Sequence, residues 1–116
     1  MARTALTPID VDADGLLLPP AGAVAANVDG NSIPFGDEYV LWVGNADVSP
    51  KTVSKPVVAD IQGLTIPAKQ VVVANGTSQL IAGVGHEAFI QPDGTVWVDY
   101  SAVTSVTVAC LRIVDR

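Results

Sequence analysis

Two stretches of the chain alternate in apolar character with a period of two. In Glu38-Tyr39-Val40-Leu41-Trp42-Val43, residues Tyr39, Leu41 and Val43 fall on one side. In Thr95-Val96-Trp97-Val98-Asp99-Tyr100, residues Val96, Val98 and Tyr100 share a side, with Trp97 and Asp99 opposite. Successive side chains of an extended strand point to opposite faces, so both stretches read as strands with one face toward a core. Gln91-Pro92-Asp93-Gly94 precedes the second, and Asp-Gly supplies the positive φ angles a tight hairpin demands. It predicts a hairpin joining Ala88-Phe89-Ile90 to Thr95–Tyr100. Thr104–Val114 is apolar on both sides for much of its length, the pattern of a central strand or one covered on both faces. Thr52–Ala59, Gln70–Ala74 and Gln79–Ala82 bring the reading to roughly seven short strands, which predicts a sandwich or a small barrel.

The first 37 residues pattern differently. Leu16-Leu17-Leu18-Pro19-Pro20 is followed by Ala- and Gly-rich sequence, then by Asp29-Gly30-Asn31 and Pro34. Proline removes a ladder donor and holds the preceding residue extended. The expectation is an extended N-terminal arm over 1–37, carrying one short strand or loose hairpin, and a β domain over 38–116. An arm this apolar either wraps its own domain or lies on a neighbour. Eight prolines and ten glycines, with abundant Val and Thr, leave little room for helices. The fold class is therefore all-β, a single β-sandwich or β-barrel-like domain.

Composition narrows the function. A chain of 116 residues suits one domain. Hydrophobic residues make up 49% against 16% charged, which argues for a packed core and for apolar surface covered by a partner. The net charge of −6 and the scattered positions of Arg3, Lys51, Lys55, Lys69, Arg112 and Arg116 argue against nucleic acid and against anionic membranes. Met1-Ala2-Arg3-Thr4-Ala5 runs into Pro and Asp rather than an apolar stretch, so a signal peptide is not expected, and no apolar run approaches the ~20 residues of a bilayer span.

The residues that suggest chemistry do so incompletely. Asp10-Val11-Asp12-Ala13-Asp14-Gly15 reproduces the first half of a calcium loop, where alternate carboxylates converge on one ion. The twelfth position, which should be a bidentate Glu, is Ala21. Asp10, Asp12 and Asp14 thus read as a solvated acidic turn. The one histidine, His86, and the one cysteine, Cys110, are too few for a zinc site, and Gly83-Val84-Gly85 precedes a strand rather than the helix a phosphate loop requires. Cys110, in an apolar run, reads as a small buried hydrophobe. Asn75-Gly76-Thr77 fits a glycosylation acceptor but reads as a turn. Trp42 and Trp97 sit mid-strand, where aromatics pack in a core or interface; exposed, either would offer a sugar-binding platform. Neither catalytic residues nor a cofactor are expected.

The opening Met1-Ala2-Arg3-Thr4-Ala5-Leu6-Thr7-Pro8 resembles the start of small structural proteins encoded in the head-gene clusters of tailed bacteriophages, notably those of actinobacteria. Phe89–Ser101, with its Gln91-Pro92-Asp93-Gly94 turn, and Val103–Ala109 are similar to their carboxy-terminal half. The resemblance implies a virion protein, a head decoration or cement protein on the outer capsid surface, assembled in the host cytoplasm. Its partners would be the major capsid protein and further copies of itself, a trimer being one arrangement. On that reading Arg3, Leu6, Ile9, Leu16, Leu17 and Leu18 of the arm are the expected capsid contacts. A head–tail connector or tail-tube protein is the alternative within the virion, and a small carbohydrate-binding module the alternative outside it.

Overall fold

The computed structural model describes residues 3–113 apart from 13–14, 17, 19, 21, 37, 58–59, 66 and 83–88. Twelve strands are found among them: β1 Thr4–Ala5, β2 Ile9–Val11, β3 Val24–Ala25, β4 Asn31–Pro34, β5 Tyr39–Asn45, β6 Lys51–Lys55, β7 Asp60–Ile61, β8 Leu64–Thr65, β9 Lys69–Val73, β10 Thr77–Ile81, β11 Thr95–Tyr100 and β12 Val106–Ile113. One sheet has the order β1-β4-β11-β6-β9. The second has the order β10-β5-β12-β2, with β3 also paired to β12. Packed face to face, they make an all-β, sandwich-like domain.

The period-two pattern explains the packing. The first sheet contributes Ile33, Val53, Val73, Val96 and Val98 to the core, and the second contributes Leu41, Val43, Ile81, Val106, Val108 and Cys110. Each set comes from alternate positions of its strands, as a pleated strand requires. Burying a Val or Leu side chain stabilises by about 1.5–3 kcal/mol, so this interlocked set dominates the stability of the fold.

Turn chemistry fixes two of the corners. Gly94 at φ +84° closes the turn before β11, where its N–H donates to Gln91 O at 2.8 Å, and Asp93 Oδ1 accepts from Thr95 N (3.0 Å) and Oγ1 (2.7 Å). The β7–β8 ribbon turns through Gln62 and Gly63, both at positive φ, the geometry of a two-residue hairpin loop.

Two expected strands come out shorter. Ile90 forms only an isolated bridge to Val96, with Phe89 outside any strand. The strand expected over Thr52–Ala59 ends at Lys55, because Pro56 has no N–H to continue the ladder.

The arm differs most from expectation. Among the described residues of 1–37 lie four strands, where one short strand or a loose hairpin was expected, all paired within the domain. Thr4 and Ala5 run parallel to Asn31 and Ser32, Ile9–Val11 run parallel to Leu111–Ile113, and Val24–Ala25 lie antiparallel to Val108–Thr107. The segment thereby covers the outer edges of β4 and β12, which would otherwise present open rows of N–H and C=O groups. β4 is an interior strand between β1 and β11.

Buried polar groups tie the elements together. Asn31 is fully buried; its Nδ2 donates to Thr4 O (3.0 Å), and its Oδ1 accepts from Asn27 N (3.2 Å) and Tyr100 Oη (2.7 Å). Asn45 Nδ2 donates to Val73 O at 3.1 Å, linking β5 of one sheet to β9 of the other. Lys51 and Lys55 point inward from β6. Lys51 Nζ meets Asp47 Oδ2 at 2.7 Å, and Lys55 Nζ donates to Ala82 O at 2.8 Å while lying over the Phe89 ring. Burial, reinforced by Lys69, holds the Lys55 pKa below its ordinary value.

Candidate functional site

The outer face of the second sheet carries a second apolar surface. Trp42 on β5 stands beside Ala109 on β12 and Leu80 on β10, while Val40 pairs with Leu111, Leu111 with Ile9, and Ile113 with Val11. Residues paired across a ladder project from the same side of the sheet, so these side chains form one field. Trp42, Ala109 and Leu111 are its buried centre, with Ile9, Val11, Leu16 and Ala23 packed around them from the N-terminal segment. This is why β12 is apolar on both sides: each face has its own cover.

The cover is partial. Leu18 is 45% exposed, Leu80 53% and Ile113 52%. They border a cleft of about 140 Å³ whose other walls are Val11, Leu16, Val40 and Leu111, so every lining residue is aliphatic. Beyond Leu18 the face changes character. A wider cleft of about 520 Å³ runs past Trp42 and Gly44 between Asn45, Thr77, Ser78, Ser105 and Thr107, a wall of hydroxyls and an amide. The indole of Trp42 is only 4% exposed, and its Nε1 has no hydrogen-bond partner among the described residues.

The residues singled out in the sequence divide between places. Leu16, Leu18 and Ile9 belong to this outer face, Leu18 at its exposed border. Leu6 is buried in the main core and Leu17 lies outside the described residues. Arg3 sits on the first sheet: Nη1 donates to Asp99 Oδ1 (2.7 Å), Val98 O (3.2 Å) and Asn31 O (3.3 Å), and the guanidinium stacks 4.4 Å from the Trp97 ring centre. Five of the six expected capsid contacts are thus described, and one of them, Leu18, presents an exposed apolar side chain.

The other candidates are placed as follows. Asp10 lies on β2 opposite Arg112, and Asp12 O accepts from Gly15 N at 3.0 Å; Ala13, Asp14 and His86 lie outside the described residues. No three His, Cys, Asp or Glu side chains converge among the described residues. Cys110 is fully buried, and burial pushes its thiol pKa up to about 11. Asn75 occupies the turn between β9 and β10. Trp97 donates from Nε1 to Asp93 Oδ2 (3.3 Å) and carries Arg3 on one face, so that face of the ring is engaged from within.

Sequence reading missed Leu80 and Ile113. Phase along β5 puts Trp42 on the opposite side from Leu41 and Val43, but the pairing of Leu80 with Trp42 comes only from strand order. Comparison with protein-family models, with curated proteins and with solved structures finds no match.

Proposed function

We propose that this chain is a virion structural protein, a capsid decoration protein that binds the outer surface of a phage head and stabilises it. One observation carries the reading: the outer face of the second sheet ends in an all-aliphatic cleft bordered by the exposed Leu18, Leu80 and Ile113. A row of aliphatic groups at the rim of a cleft is what a partner's apolar side chain fills, each half-exposed group adding about 1 kcal/mol once covered. The sequence resemblance to head-cluster proteins supplies the partner, the major capsid protein. Modest contacts repeated over a symmetric shell act together, which suits a cement. Acidity suits an outward position, away from packaged DNA.

The test uses particles of the phage that encodes the chain. Cryo-electron microscopy and copy counting distinguish the outcomes: hundreds of copies over the head surface support decoration, whereas one ring of copies at the head–tail joint, or none, overturns it. Leu80→Asp should weaken binding to undecorated shells at least about tenfold by placing a carboxylate in the apolar cleft. Leu64→Asp, at an exposed position on β8, should leave binding unchanged.

A further inference from the structure

Among the described residues the two large sheets have four edges, and three of them are short, covered or charged. The short strands β2 and β3 cover β12, β1 covers β4, and β9 carries Lys69 at its start. Cover and charge are the usual defences of an edge strand against pairing with another chain. β10 has neither. Its sequence Thr77-Ser78-Gln79-Leu80-Ile81 holds no charge and no proline, four of its five residues are exposed, and among the described residues its far edge pairs with no strand.

The charge-free region extends inward. From Ala74 to Ala82 and from Val40 to Ala46, covering β10 and nearly all of its neighbour β5, there is no Asp, Glu, Lys or Arg. In a chain of net charge −6, two copies that meet elsewhere risk setting carboxylate against carboxylate. Here they meet without opposing charges. We infer that β10 is a self-association edge, at which a second copy of this chain pairs antiparallel to form one continuous sheet across a two-fold axis.

The register follows from symmetry. A two-fold axis normal to the sheet brings two copies of one edge together antiparallel and keeps both outer faces on the same side. Centred on β10, it sets Gln79 against its own counterpart and Ser78 against Leu80 of the second copy. The Gln79 amides can then donate to and accept from each other. The two Leu80 side chains become diagonal neighbours on the outer face, within reach of one another. The two aliphatic clefts therefore join into one broader apolar surface, facing the same way.

The inference rests on reading the chain as an assembly component, but its test uses purified full-length chain with no shell present, so the two can fail separately. Analytical ultracentrifugation at high micromolar concentration should give a dimer mass. Gln79→Lys sets like charges face to face at the axis and should raise the dimer dissociation constant at least about tenfold. Val72→Lys on β9 should leave it unchanged. Gln79→Cys supplies a second readout: its Cβ atoms would lie about 4.5–5.5 Å apart across the axis and should cross-link on oxidation, whereas Val72→Cys should not. A monomeric wild type, a dimer indifferent to Gln79→Lys, or cross-linking through position 72 instead of 79 overturns the proposal.

Discussion

Arg3 and Asp99 stand ninety-six residues apart in the chain and 2.7 Å apart in space, and their ion pair pins the beginning of the sequence to β11. The same guanidinium nitrogen caps two backbone carbonyls, and the plane stacks on Trp97. Gly30 lies directly beneath: a Cβ there would run into Arg3 Nη1 and come within 2.6 Å of Asp99 Oδ1. The backbone of Gly30, at φ +94°, is one that side chains rarely adopt, so the site needs glycine on two counts.

Arg3→Ala should therefore lower stability by about 1–2 kcal/mol. The pair itself is half exposed and contributes little; most of the loss comes from the carbonyl hydrogen bonds and the stacking. Urea denaturation followed by tryptophan fluorescence measures the change, and emission of the native state should shift to the red as Trp97 loses its cover.

Gly44→Ala tests the packing of the outer face. A Cβ at Gly44 would lie 2.6 Å from Cη2 of the Trp42 indole, which extends along β5 over the glycine. The ring must tilt out of its bed on Ala109 and Leu111. Overpacking of this kind costs about 1–3 kcal/mol. The expected outcome is a lower urea midpoint with unchanged strand content by circular dichroism.

Removing residues 1–11 should unfold the domain or leave it loosely packed. The deletion takes away β1 and β2, uncovers the edges of β4 and β12, and strips Leu6 from the core. Loss of one buried leucine alone costs about 2–5 kcal/mol, a large share of the stability of a domain this size. A free arm would predict the opposite, a truncated chain with native near-ultraviolet dichroism and native hydrogen exchange.

Alkaline pH should weaken the fold through two neutral groups. Burial pushes the Cys110 thiol from 9.0 up to about 11. Burial, then the Asp99 charge, raises the Tyr100 phenol as well, with Arg3 pulling slightly the other way. Both groups ionise first in the unfolded chain, so the stability they add is complete below their ordinary pKa values and declines as pH rises above them. For Cys110 the decline spans about pH 9–11 and amounts to about 2–3 kcal/mol. Lys55, held low by burial, acts in the opposite sense, its contribution growing as pH rises toward its ordinary value. Comparison with Tyr100→Phe isolates the phenol: urea midpoints of that variant should fall less steeply above about pH 10 than those of the wild type.

The strands that the sequence makes legible are those long enough to show a phase. Thr95–Tyr100 is found with the bounds its alternation predicts, and β5 and β12 start and end within two residues of expectation. Asp93-Gly94 marks its turn because few other pairs accept that backbone. β1 and β3 are two residues long and β2 three, too short for any period to appear. Their pairing is set by distant strands, as when Ile9 lines up with Leu111. Leu6 is the one large apolar side chain between Thr4 and Pro8, and only the closed sandwich makes it a core residue. For the outer face, Leu16 and Leu18 were visible as apolar, but Leu80 and Ile113 joined them only once strand order was known.

The parallel alignment of Ile9–Val11 with Leu111–Ile113 has a kinetic consequence. Ile9–Val11 leave a ribosome about a hundred residues ahead of Leu111–Ile113, and their ladder cannot form until both are present. A nascent chain still lacking β12 has no centre for its second sheet, and both Trp42 and the core face of β5 stay wet. Closure of the sheet should accordingly be slow, in the millisecond-to-second range typical of topologies closed by such distant contacts, and a chain still lacking β12 should depend on chaperones to keep its greasy strands apart.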